Sequence, residues 1–265
     1  MKRIVRSTSV VLRLAPFVLA FLRDRKAWII FGRPVRRTAE GHRKRAERLT
    51  AHLAKLGPTF IKLAQLFSSR ADILPEPYLS VVGRLQDQVP PDPPEEILAV
   101  IESELGSRAD DLFQDFQREP VAAASLGQVH RARVGDRDVV VKVLRPGVEA
   151  AVALDLDISF RLLFWLNILF PNHHVRALTN VVREFSVRVR AEMDFRQEAD
   201  NIDRFQRFFR DDRRVRAPTV LHQFTRRRVL VMEYIAGTKI DRLHDRFSSG
   251  RLSFKQVMET LTGVY

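Results

Sequence analysis

The chain has 265 residues, 45% hydrophobic and 29% charged, enough for one large domain or two small ones around a substantial core. It contains no cysteine, which excludes disulfides, thiolate metal sites and a cysteine nucleophile. The net charge of +13 is concentrated at one end: residues 1–50 hold fourteen Lys or Arg against three acids (Asp24, Glu40 and Glu47), a net +11, so the rest is near neutral. A basic, amphiphilic end on a near-neutral body points to an anionic surface as partner, either membrane or nucleic acid.

Residues 1–45 form the basic segment. The apolar run Leu14 to Leu22 is too short to span a bilayer and contains Pro16, and no cleavage site for a leader follows it. It reads equally as an interfacial helix with basic anchors and as a surface helix with a solvated basic face. Residues 46–70 read as a helix broken near Gly57-Pro58, and residues 71–94, with six prolines, as a short helix between loops. Glu95 to Leu105 is a helix opened by the proline cluster and closed by Gly106. Val121 to Val134 and Asp138 to Leu144 read as strands joined by a Gly135-Asp136 turn. Residues 148–170 and 176–209 are predicted to be helices. Thr219 to Phe224 and Arg228 to Tyr234 follow as two more strands, and the last thirty residues as helical.

Four features carry chemistry. Lys142 stands in a run of valines, and between Lys62 and Lys239 it is the only lysine in a chain that has eight lysines to thirty-seven arginines. A compact ammonium inside an apolar strand suits phosphate binding; the bland alternative is an edge-strand lysine reaching solvent. The loop Val121-Ala122-Ala123-Ala124-Ser125-Leu126-Gly127-Gln128-Val129 occupies the place of a phosphate-binding turn, but its alanines forbid most conformations that glycines permit. In the segment Glu192 to Asn201, Asp194 and Glu198 are four apart and share a helical face. Glu192 lies six residues before Glu198, about 240° away on an ideal helix, so the two require two cations or a distorted helix. Finally, Val229 to Gly237 is an apolar strand ending in Met232-Glu233-Tyr234-Ile235 and running to a glycine, which resembles the hinge strand of a protein kinase, whose backbone bonds the adenine edge.

Together with Leu56-Gly57-Pro58-Thr59-Phe60-Ile61-Lys62-Leu63-Ala64-Gln65, Ser68 to Pro75 and Leu85 to Pro91, these features resemble the UbiB/AarF/ADCK family of atypical kinases, from about residue 46 onward. The resemblance implies an α+β, protein-kinase-like small lobe, a five-stranded antiparallel sheet plus a long helix. An N-terminal helical extension precedes it, and the first helices of a truncated large lobe follow. The implied divisions are 1–45, the basic segment; 46–116, the signature extension; 117–235, the small lobe; and 236–265, the start of the large lobe.

The resemblance also implies residue roles. Lys142 is the nucleotide lysine and Glu198 its helix partner. Residues 121–129 are the loop over the phosphates, and Met232, Glu233 and Ile235 the adenine edge. Lys62 and Gln65 match the signature lysine and glutamine, and Glu192 and Asp194 the Glu-x-Asp pair, with Lys62 the cation for Glu192. Ala64 stands where the family usually has glycine. The His-Ala-Asp-x-His-Pro-Gly-Asn and Asp-Phe-Gly elements of the family are absent from the sequence. No catalytic or metal-ligating residue is therefore expected here, only weak binding of ATP or ADP with Mg²⁺. The expected setting is peripheral, at a cytoplasmic membrane face, in support of ubiquinone or prenyl-lipid metabolism. A membrane- or partner-binding module without catalysis is the main alternative. Nucleic acid is the lesser one, because few aromatics interleave the basic cluster.

Overall fold

The computed structural model describes residues 2–24, 38–68, 70, 75–85, 89–169, 171, 173–238, 240, 243–249 and 251–263. Parts of the signature stretches, Ser69, Ala71 to Leu74 and Gln86 to Gln88, lie outside the described residues. The chain divides into two compact units, one of Met1–Pro93, Ala122–Gln128 and Leu144–Met193, the other of Pro94–Val121, Val129–Val143 and Asp194–Tyr265.

The first unit is helical: α1 (Lys2–Asp24), α2 (Ala39–Leu56), α3 (Pro58–Ser68), α4 (Tyr78–Val82), α7 (Val148–Leu169) and α8 (His173–Glu192). Thr38 caps α2 by accepting from the Gly41 amide, and Gly57 ends it at φ +93°, a conformation that glycine alone adopts without strain. Pro58 then starts α3, where its missing N–H costs nothing, so the predicted break is a cap followed by a fresh start. Val10, Leu56, Phe60 and Ile158 form the core, with Leu14, Leu53, Leu154 and Leu162 around them. The α1 segment is therefore not only a surface helix. Val10 is fully buried, and Arg6 makes a two-pronged ion pair with the buried Asp155 of α7, Nε–Oδ1 2.7 Å and Nη2–Oδ2 2.8 Å.

The second unit holds α5 (Pro94–Leu105), α6 (Ala109–Leu112), α9 (Phe195–Phe208), α10 (His244–Ser248), α11 (Phe254–Thr262) and most of the sheet. The strands β1 (Ala122–Ala123), β2 (Gly127–Val134), β3 (Arg137–Leu144) and β4 (Val229–Glu233) lie in the order β1-β2-β3-β4. Gly135, at φ +57°, makes the β2–β3 turn. Strand alternation sorts β3 and β4 into two faces. Val139, Val141, Val143, Val229 and Val231 point into a core with Ile97, Ile101 and Phe113. Val140, Lys142, Leu230 and Met232 point the other way, and the antiparallel register sets Val140 opposite Met232 and Lys142 opposite Leu230.

Among the described residues the sheet has four strands, not the five expected. Thr219 to Phe224 begins as a strand: the Glu233 amide donates to Thr219 O and the Leu221 amide to Val231 O, both at 2.8 Å. It then turns into a 3-10 helix, His222–Phe224. The Thr225 hydroxyl takes the next rung instead, accepting from the Val231 amide and donating to Leu221 O. A side-chain hydroxyl that satisfies the ladder lets the backbone leave it.

The single long helix expected over 176–209 is two helices. α8 ends at Glu192, and Asp194 caps α9 with β-region dihedrals. Asp194 therefore does not share a helical face with Glu198. Among the described residues of the last thirty, the α-helices are α10 and α11.

Candidate functional site

Because Lys142 projects from the face of β3 opposite the core, its ammonium stays reachable while its stem is shielded. Nζ donates to both carboxylate oxygens of Glu198 on α9, at 2.8 and 2.7 Å, and lies 4.8 Å from the centre of the Phe195 ring. Phe195 is buried beneath the ammonium, and its amide donates to Arg227 O. The Lys142 and Glu198 side chains are 28% and 37% exposed, open enough for a ligand to approach the pair. A fixed, partly desolvated ammonium with a carboxylate holding it from one side is an anion-binding group.

Asp194 sets the start of α9. Its carboxylate accepts from the Arg196 amide at 3.2 Å and from the Arg196 guanidinium at 2.9 and 2.6 Å. The guanidinium contact, helped by the amide, holds the Asp194 carboxyl below its usual value, and partial burial opposes it. A depressed folded-state pKa means stability that is complete above the ordinary carboxylate range and is lost as pH falls through the folded value. Asp194→Ala is expected to cost about 1 kcal/mol at neutral pH. In urea titrations the gap from the parent protein should close as pH drops below about 4; a gap independent of pH would contradict the capping role.

Glu192, at the C-terminal end of α8, meets Lys62 of α3 at 3.0 Å. A carboxylate at a helix C-terminus opposes the helix dipole, and the lysine relieves it. With Lys62 26% and Glu192 49% exposed, the pair is worth less than about 1 kcal/mol to stability. The two-cation arrangement is thus present, Lys62 serving Glu192 and Lys142 serving Glu198. Gln65 lies half-buried three residues beyond Lys62. Ala64 is buried between them at 2% exposure.

In the loop, the Val121 amide donates to Val129 O and the Ala124 amide to Gly127 O, which closes a tight turn. Val121, Ala122 and Ala124 are exposed and Ala123 half-buried, whereas Ser125, Leu126, Gly127 and Gln128 are buried.

Sequence reasoning missed what holds this turn. Arg145, directly after β3, is 7% exposed and donates to Ala124 O (2.8 Å), Asp92 Oδ2 (2.7 Å), Pro90 O (2.9 Å) and Val89 O (3.2 Å). The Asp92 amide in turn donates to Gln128 Oε1. The signal was an arginine directly after an apolar strand together with a proline-rich stretch full of free carbonyls, but their separation of more than fifty residues conceals the pairing.

At the end of β4, the Glu233 amide is used by Thr219, and its carboxylate is held by Arg216 and by the Thr219 amide and hydroxyl. The Arg216 contact, first among these, lowers its pKa. The Tyr234 amide donates to Asp138 O, and the Arg131 guanidinium stacks on the Tyr234 ring at 4.0 Å. Met232 and Ile235 are half-buried. Among the described residues no group of three or more His, Asp or Glu could hold a metal ion.

Residues 84–265 match the family described as ABC1 atypical kinase-like domain. The chain is 38% identical over 225 residues to the Arabidopsis thaliana protein Activity of BC1 complex kinase 8, chloroplastic, covering 82% of this chain and 30% of that protein. It is 36% identical over 197 residues to a probable protein kinase UbiB of Marinobacter nauticus, covering 74% of this chain and 36% of that protein. The structure of Rv3197 from Mycobacterium tuberculosis, solved as an erythromycin complex, matches with TM-score 0.53 and 32% identity over 77% of this chain and 52% of that chain. The chain thus spans about a third of the length of the curated relatives it matches.

Proposed function

The chain belongs to the ABC1/UbiB (AarF/ADCK) family of atypical kinases, and on that premise we propose that it grips the phosphates of ATP or ADP through Lys142, held in place by Glu198. The observation that supports this most is the two-oxygen pairing of Lys142 Nζ with Glu198 above the Phe195 ring. The backbone of Met232, Glu233 and Ile235 is assigned to the adenine edge, residues 121–129 to the phosphate loop, and Lys62, Gln65, Glu192 and Asp194 to the signature elements. Mg²⁺ would arrive with the nucleotide and neutralise phosphate charge. What these residues contribute is orientation of the phosphates by a fixed ammonium. Phosphoryl transfer is assigned to the longer family proteins. No turnover is expected of these 265 residues, which lack the His-Ala-Asp and Asp-Phe-Gly elements.

The working place is proposed to be an anionic membrane surface, in support of quinone or other prenyl-lipid metabolism. The observation that favours it is the +11 charge of residues 1–50.

The nucleotide reading is tested by thermal unfolding with and without Mg·ADP. A ligand at about 100 times its dissociation constant stabilises the native state by about 2.7 kcal/mol, so the melting temperature should rise with ADP and not with adenosine. An unmoved melting curve at millimolar Mg·ADP contradicts it.

A further inference from the structure

The turn between α7 and α8 carries a feature that nucleotide binding does not use. From Ile158 to Arg183, twenty-six residues, there is no carboxylate, while Arg161, Arg176, Arg183, His173 and His174 are cationic or able to become so. At the end of α7, Phe164, Trp165, Ile168 and Leu169 are 61%, 60%, 52% and 64% exposed. Leu162 and Leu163 cover the other side of these turns, where Asn167 is the one polar side chain from Leu162 to Leu169, yet only one side is packed. A helix of that kind is ordinarily buried, and a contiguous exposed apolar patch marks a binding surface. The face changes character at Arg161, which is ion-paired to Asp157 at 3.1 Å and stands one turn before Phe164 and Trp165. α1 runs beside α7 in the same direction, since Arg6 meets Asp155 while Val10 and Leu14 pack in the cluster with Ile158 and Leu162. The basic helix therefore lies along the apolar one.

We propose that the tip of the α7–α8 hairpin inserts into the interface of an anionic lipid bilayer, with Phe164, Trp165, Ile168 and Leu169 entering the headgroup–acyl boundary and Arg161 and Arg176 meeting lipid phosphates. Charge selects this occupant. A carboxylate-free tip carrying Arg161, Arg176 and Arg183, with the basic α1 packed beside its helix, repels a second copy of itself and complements an anionic surface, and Trp with Phe beside Leu and Ile is the residue mix of the membrane interface. The inference deepens the membrane reading above and rests on it, but not on the nucleotide reading.

The chain has two tryptophans, Trp28 and Trp165, so Trp28→Phe leaves Trp165 as sole reporter. This protein is mixed with phosphatidylcholine vesicles with and without about 30% phosphatidylglycerol, and emission, quenching by brominated acyl chains and co-sedimentation are read. With the anionic vesicles, Trp165 emission should shift to shorter wavelength and be quenched. Trp165→Ser/Ile168→Ser, which removes only exposed groups and should melt like the parent, should weaken partitioning on the order of tenfold or more. If the protein binds but Trp165 is unmoved and the double variant binds equally, charge alone holds it: the hairpin inference falls and the membrane reading stands. If no vesicle is bound, both fall. A concentration-dependent dimer that the double variant disperses assigns the patch to a second copy and overturns the proposal.

Discussion

Replacing Lys142 by alanine is expected to weaken Mg·ADP binding by about 2–3 kcal/mol, on the order of 100-fold, while leaving the fold nearly as stable as before. The two effects separate because the residue has two partners. Toward the protein it makes one ion pair with Glu198, partly open to water at 28% and 37% exposure, a pair worth less than about 1 kcal/mol. Toward phosphate it is a charge-assisted donor, and without it the Glu198 carboxylate is left facing an anion. Glu198→Gln keeps the ammonium and loses the group that aims it, so its loss should be smaller, about tenfold. Arginine at 142 should not rescue binding, because a planar fork does not fit where a compact ammonium sits over the Phe195 ring. Isothermal titration of the three variants reads all of this. A Lys142→Ala protein that binds as tightly as its parent removes the site from this face of the sheet.

Arg145→Ala has the largest expected effect on stability, about 3 kcal/mol. Its buried guanidinium serves Asp92 and three backbone carbonyls, from Ala124, Val89 and Pro90, and one substitution leaves all of them without that donor. Such groups cost most when little water can reach them. Arg145→Lys keeps a charge but cannot reproduce the fork, and should recover only part of the loss. Urea unfolding measures both. Hydrogen exchange should localise the damage to the amides tied into the same knot: Asp92, which donates to Gln128, Ala124, which donates to Gly127, and Arg145 itself, which donates to Leu126 O. An Arg145→Ala protein that melts with its parent would show that the turn is held by its own backbone.

The parts legible in the sequence were those written in local pattern. The valine run around Lys142 predicts a strand with one core face. The helix from Pro94 to Leu105 was marked by proline before it and Gly106 after it, and the break between α2 and α3 by Gly57-Pro58. Helical geometry required two cations or a distorted helix to serve Glu192 and Glu198; the helix breaks between them, and each carboxylate has its own cation, Lys62 and Lys142.

The readings that changed turn on side chains that substitute for backbone. Asp194 looks like a helical carboxylate one turn from Glu198, yet a short acidic side chain competes for amides and caps a new helix instead. Thr219 to Phe224 reads as a full strand, yet the Thr225 hydroxyl fills a rung of the ladder and lets the backbone leave it early. Arg145 was hidden for a different reason. Its partners lie more than fifty residues upstream, or are backbone carbonyls that no side chain announces.

A crystal structure of the chain with Mg·ADP tests the central claim most directly. The account predicts a phosphate oxygen within hydrogen-bonding distance of Lys142 Nζ, Glu198 still paired to the same nitrogen, and the adenine edge against the backbone of residues 232–235. Nucleotide bound elsewhere, with the Lys142–Glu198 pair untouched, would contradict it.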